Sequence, residues 1–218
     1  MQASVAITVR PEDVIKVFQA ENWRDAATLR SALAGANPVG YFSTEELACV
    51  IVDATEAYHG GAKAVQRSVV VLKQNTLIMF DVIAGGTKAS WALTGDAASL
   101  NHKSIPFSNG TSDQVFLNVF QEKTAANIGV LSTLDLAGVR IGEYAILFYV
   151  DVRAGRSAVF FDSNGGDKLK TLVAGLAPGS WEVWRNGWLD EPRVVVTREA
   201  NALYYEGKPG GYFLKRTS

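Results

Sequence analysis

The sequence predicts a mainly β protein: a large antiparallel β-sandwich of about a dozen strands behind a short N-terminal helical segment. Three observations carry this expectation. From Val39 onward the apolar residues fall in short extended runs, such as 50–52, 69–72 and 77–83, and lose any helical spacing. Turn-forming residues separate the runs at Gly85-Gly86, Gly110, Gly155, Asn164-Gly165-Gly166, Asn186-Gly187 and 207–210. The 218 residues include 20 glycines and are 48% hydrophobic, a composition that suits many turns and sheets with buried faces.

Taken in order, 5–9 is a strand candidate. Pro11-Glu12-Asp13 then opens a helix, with proline tolerated in the first turn and acids at the positive dipole end. Val14, Ile15, Val17 and Phe18 continue it to about Gln19. Asn22 is the expected cap of a second helix through Leu33, stopped by Gly35 and Asn37-Pro38. These helices read as a cover for one end of a sheet or as a docking arm. Strands are expected at 48–53, 65–73, 77–84, 87–93, 114–121, 144–152, 156–162, 168–173, 180–185, 188–196, 201–206 and 211–215. No repeat of fixed length and no linker divides the chain. The expected organisation is therefore 1–38, a strand plus helices packed on the sheet, and 39–218, the sandwich.

Composition narrows the function classes. With 21 basic and 22 acidic residues the net charge is −1, so no global field draws the chain to nucleic acid or an acidic membrane. The single Cys49 excludes an intrachain disulfide and, in its apolar run, reads as a small core residue. The start MQASVAITVRPEDV lacks a basic segment followed by an apolar one, so no signal peptide is expected. No run approaches the roughly 18 apolar residues that cross a bilayer, so a soluble chain is expected, its localisation otherwise open. Two histidines and one cysteine make no zinc-spaced set. A calcium site near Asp162, Asn164 and Asp167 is the one cation reading; a plain hairpin turn is the competing and simpler one. No other cofactor is implied.

Two hairpins carry the polar residues of interest. Between strands 65–73 and 77–84, a three-residue loop makes Arg67 and Asp81 diagonal neighbours on one face, where a charge-assisted pair fixes register. Loops of two or four residues put them on opposite faces. In the second hairpin, Asn186-Gly187 signals a type I′ turn. It makes Arg185 and Trp188 direct cross-strand partners and pairs Trp184 with Leu189. By alternation Trp181, Val183, Arg185 and Trp188 share one face, and Trp184 and Leu189 the other. Two indoles beside a guanidinium stack a sugar ring or each other, so Trp181, Arg185, Trp188 and Trp184 are the ligand- or partner-contact candidates.

Several stretches resemble a known module. Asp53-x-Thr55-x-x-Tyr58 precedes Gln66-Arg67-Ser68-Val69-Val70-Val71-Leu72 and then Leu77-Ile78-Met79-Phe80-Asp81-Val82. Later come Leu176-Ala177-Pro178-Gly179-Ser180-Trp181-Glu182-Val183 and Gly210-Gly211-Tyr212-Phe213-Leu214. Over about residues 40–218 this order is similar to the C-terminal β-sheet module of the heparinase II/III-like polysaccharide lyases, which include alginate and heparin-type lyases. Read on their own, Arg67 and Asp81 fix strand register and Tyr58 anchors the turn into the hairpin, so Arg67, Asp81, Asp53 and Tyr58 are expected to be structural. In such lyases an (α/α) toroid supplies most of the active site, and some sheet modules add one histidine. With about 40 residues before the sheet region the chain has no room for a toroid, so none of its residues is carried over.

His102, in Leu100-Asn101-His102-Lys103-Ser104, reads as a polar turn and is the better candidate for a sheet-derived histidine. His59 follows Tyr58, but neighbours in a strand point to opposite faces, which weakens an acid–base pair there. Catalytic candidates are thus limited to His102, His59 and Tyr58. The leading expectation is a non-catalytic lyase-like module that binds polysaccharide or docks on a protein. The alternative is a structural or assembly protein of a virion or surface, forming a homo-oligomer. The third is a lyase acting with a separate toroid subunit; whether the chain is an enzyme stays open, leaning to not.

Overall fold

The computed structural model describes residues 4–32, 37–58, 62–73, 75–85, 88–95, 100–107, 113–122, 127–133, 135–150, 158–163 and 166–217. The protein is mainly β, with 17 strands and two short α-helices among those residues. It divides into two compact units, Met1–Ala125 and Ala126–Ser218. None of the described helices is long and apolar enough to cross a membrane.

The first unit runs β1 (Ser4–Val9), α1 (Pro11–Gln19), α2 (Ala26–Ala32), β2 (Asn37–Ser43) and β3 (Leu47–Asp53). After a 3-10 turn at Thr55–Ala57 come β4 (Ala64–Leu72), β5 (Thr76–Ala84), β6 (Lys88–Leu93), β7 (Asn101–Ile105) and β8 (Gln114–Gln121). Six strands make an antiparallel sheet in the order β2-β3-β4-β5-β8-β7, and β1 pairs with β6 in a parallel ribbon. Val14 and Val17, one helical turn apart on α1, pack with Val9 and Leu29 against Val50, Val69, Met79 and Phe120. The helices are thus a cover over the sheet. Asn22 does not cap α2: its carbonyl accepts a turn bond from the Asp25 N–H, and Asp25 Oδ1 takes the Ala27 N–H at 3.0 Å as the cap. Because the ribbon and helices pack on β3–β8, they belong to one unit, and compactness divides the chain at 125/126 where the sequence set 1–38 apart.

The second unit comprises β9 (Ile128–Ser132), β10 (Leu136–Ile141), β11 (Tyr144–Tyr149), β12 (Ala158–Ser163), β13 (Leu169–Ala174), β14 (Gly179–Arg185), β15 (Trp188–Val196), β16 (Ala202–Gly207) and β17 (Gly210–Arg216). It is a sandwich. A five-stranded sheet, β16-β13-β11-β10-β9, faces a four-stranded one, β12-β17-β14-β15. Leu147, Tyr149, Leu169, Val173 and Leu203 from the first interleave with Phe161, Trp181, Val183, Tyr212 and Leu214 from the second. All pairs but β11–β13 are antiparallel. At Gly138 an added Cβ would lie 2.2 Å from the Ile146 carbonyl, so only glycine lets β10 lie this close to β11.

The strands expected from the sequence are present, with boundaries within two residues except at the end of 144–152, where the strand stops at Tyr149. Four more, β2, β7, β9 and β10, raise the number to 17. His102 consequently sits in a strand, β7, and not in a polar turn.

Candidate contact site at the tryptophan hairpin

The β14–β15 turn is built as its residues require. Asn186 and Gly187 have φ of 51° and 84°, the left-handed pair of a type I′ turn. Arg185 pairs with Trp188 and Trp184 with Leu189, as the turn type dictates. The tip is tied to its neighbour: Asn186 N–H donates to the Gly211 carbonyl, and Asn186 Oδ1 accepts the Gly211 N–H, at 2.8 and 2.9 Å. These bonds hold the turn backbone against β17.

Alternation divides those side chains, but not into one tryptophan face. Trp181 is 0% exposed, with Nε1 donating to the Ala177 carbonyl at 3.0 Å. It fills the sandwich core beside Val183, so it is not a surface contact: the face it shares with Arg185 is the inner one. Trp188, opposite Arg185, lies on the same face at the hairpin end of the sheet and is 80% exposed. On the outer face Phe213, Trp184 and Leu189 form a row across three neighbouring strands. Phe213 and Leu189 are exposed, and Trp184 is half-buried with Nε1 donating to Glu182 Oε2 at 3.0 Å.

A polar cluster sits beside Trp188. Arg185 Nε meets Asp190 Oδ2 at 2.9 Å, and Tyr205 Oη, from the other sheet, donates to the same oxygen. Asp190 is the extra residue of a β-bulge: Leu189 pairs with Trp184 and Glu191 with Val183, leaving Asp190 unpaired. A bulge re-aims a side chain, and here it turns the carboxylate toward Arg185 and Tyr205. Partial burial pushes the Asp190 carboxyl up, but the bonds from Arg185 and Tyr205 and the charges of Arg185 and Lys208 outweigh it. The net effect holds Asp190 below the usual carboxylate range. Burial, then the bond to Asp190, pushes the Tyr205 phenol well up. Burial raises Tyr212 to about 12. Tyr212 stacks on Phe161 at 5.0 Å, meets Tyr205 edge-on and donates to the Lys208 carbonyl. The Tyr205 ring lies so close over Gly207 that a Cβ there would fall 2.5 Å from it.

In the first unit the singled-out polar residues form an ion pair and a turn. A three-residue loop joins β4 to β5, and Arg67 and Asp81 prove to be directly opposite, not diagonal, because Leu72 already pairs with Thr76. Arg67 Nε lies 2.6 Å from Asp81 Oδ1, with both side chains buried. Burial works against the Arg67 charge, but Asp81 and a hydrogen bond with Tyr58 more than offset it and raise its pKa. Asp53 Oδ1 accepts the Thr55 N–H at 2.9 Å and hydroxyl at 2.5 Å, and Thr55 Oγ1 accepts the Val65 N–H at 3.0 Å. The Asp-x-Thr motif is a turn that joins β3 to β4.

His102 clusters with Trp91 and Phe120, ring centroids 5.2 and 4.8 Å away, and those two rings are 6.1 Å apart; its Nε2 lies 3.0 Å from Asn118 Oδ1. Among the described residues no contact in that cluster pairs His102 with Tyr58. His59 and Asn164 lie outside the described residues. Asp162 and Asp167 are exposed, and among the described residues no three His, Cys, Asp or Glu side chains form a metal cluster. Cys49 is buried, and burial pushes its thiol up to about 12.

The second unit is therefore an all-β sandwich module with one decorated hairpin tip. The family model of the heparinase II C-terminal domain matches residues 130–216, from the first strand of that sandwich to its last. Over this segment the expected likeness to a C-terminal module of heparinase II/III-like proteins holds. No curated protein matches the chain.

Sequence reasoning found Arg185, Trp188 and Trp184 but missed Asp190, Tyr205 and Phe213. Asp190 carried a signal, since residues 188 and 190 share parity near Arg185. Tyr205 carried none, because it arrives from the opposite sheet.

Proposed function

We propose that the chain is a non-catalytic module that binds carbohydrate through the β14–β15 tip. The observation that carries this reading is Trp188, an indole 80% exposed on a turn locked to the neighbouring strand. An exposed aromatic on a rigid support presents a flat apolar face without ordering a loop, the arrangement that stacks a pyranose ring. The family match supports a carbohydrate context. The test is a glycan array probed with the full chain and with Trp188→Ala. Retention of glycans that is lost in the variant supports the reading; an array left unbound removes it.

The outer row of Phe213, Trp184 and Leu189 favours a second reading, an assembly protein that meets its neighbours through that sheet face. Light scattering tests it. Mass that rises with concentration and falls back in Phe213→Asp supports assembly, whereas a monomer at every concentration sinks it.

A further inference from the structure

We propose that the β14–β15 tip selects neutral, hydroxyl-rich glycans over carboxylated or sulfated ones, with a pair of sugar hydroxyls set between Arg185 and Asp190 and the ring face on Trp188. This rests on the carbohydrate reading above and names its ligand class.

The argument begins with which atoms are already used. Arg185 engages Asp190 through Nε, and both bonds to Asp190 fall on Oδ2. Arg185 Nη1, Arg185 Nη2 and Asp190 Oδ1 have no partner among the described residues. Both side chains are about a quarter exposed, 27% and 26%, so solvent reaches them. The free atoms are two donor nitrogens beside one acceptor oxygen. A hydroxyl both accepts and donates, so one sugar hydroxyl oxygen takes an Nη–H while another gives its proton to Oδ1. Both bonds have a charged partner, the stronger class. A carboxylate or sulfate only accepts. It satisfies the guanidinium but places a second negative charge against Asp190, whose own charge already neutralises Arg185.

The geometry is held from behind. Tyr205 fixes Asp190 from the other sheet, Gly207 leaves room for the Tyr205 ring, and the register sets Arg185 opposite Trp188. Lys208, from the β16–β17 turn, adds a further positive charge acting on Asp190.

The experiment is calorimetric titration of the full chain with three probes: β-1,4-linked gluco-oligosaccharides, alginate oligosaccharides and heparan sulfate oligosaccharides, each at low and high salt. The expected result is binding of the neutral probe with an affinity that changes less than about twofold with salt, since no ions are exchanged. Trp188→Ala, on an exposed side chain that leaves the core untouched, weakens it by about tenfold or more. Asp190→Asn weakens the neutral probe and brings in the alginate probe, because the guanidinium loses its counter-charge. Binding confined to the anionic probes, with affinity falling steeply as salt rises, overturns this selectivity while leaving carbohydrate binding intact. If none of the three probes binds and the glycan array is also blank, both readings fall together.

Discussion

Two arginine–aspartate pairs in this protein have similar contact geometry and opposite consequences. Arg67–Asp81 lies between central strands of the first unit's six-stranded sheet, both side chains sealed from water. Arg185–Asp190 lies at the end of a hairpin in the second unit, a quarter exposed, on a bulge. The first has nowhere to send a ligand and only one register that satisfies it. The second keeps donor and acceptor atoms facing solvent. What separates the two pairs is position on the strand, not chemistry.

The comparison breaks most easily at Asp81. Asp81→Ala leaves a buried guanidinium without its counter-charge and should destabilise the fold by about 3–5 kcal/mol in urea unfolding. A loss below about 1 kcal/mol would show that the pair does not hold the register. The two tryptophans give a parallel test in the second unit. Trp181→Ala empties a fully buried site and should cost about 3–5 kcal/mol, while Trp188→Ala should stay within about 0.5 kcal/mol. Gly187→Ala comes next: a side chain at φ 84° strains the turn by about 1–2 kcal/mol and should blunt glycan binding along with stability.

A pH series sharpens the contrast further. The Asp190 carboxyl is held below its ordinary value, so its pair stabilises the fold fully above the unfolded carboxyl's pKa of about 4. That contribution fades as pH falls through the depressed folded value. Asp190→Asn should lower the urea midpoint near neutrality, with the gap from wild type closing below about pH 4; a gap that persists in acid argues against the pairing. The smallest effect concerns Cys49, whose burial should leave it unlabelled by thiol reagents until the chain unfolds. Labelling in native buffer would show that the first unit opens locally.

The interior of the fold was far more legible in the sequence than its margins. Strands β4, β5, β11 and β13 are apolar on both faces and announce themselves as central. The strands that escaped are mostly at sheet edges. Strand β2 contains Pro38 and Gly40 around an irregular register, β7 is polar until Ile105, and β9 is largely exposed. Edge strands bury too little to need an apolar pattern. Strand β10 escaped for another reason: Gly138 interrupts its apolar run, and close approach to β11 requires it. At the site, Asn186-Gly187 dictated the cross-strand pairs, because turn type sets register locally. It did not place Trp181, because alternation names a face without saying which side is the core.

The bulge at Asp190 also shapes the edge of its sheet. Strand β15 is the last in its sheet, nine residues long, with one side of its backbone unpaired by the sheet. A flat run of that length invites another chain to add a strand to it. The extra residue twists it, Pro192 removes an amide, and Glu191 and Arg193 put charge along the margin. The kink that aims a carboxylate at Arg185 also interrupts the flat edge on which a further strand would add.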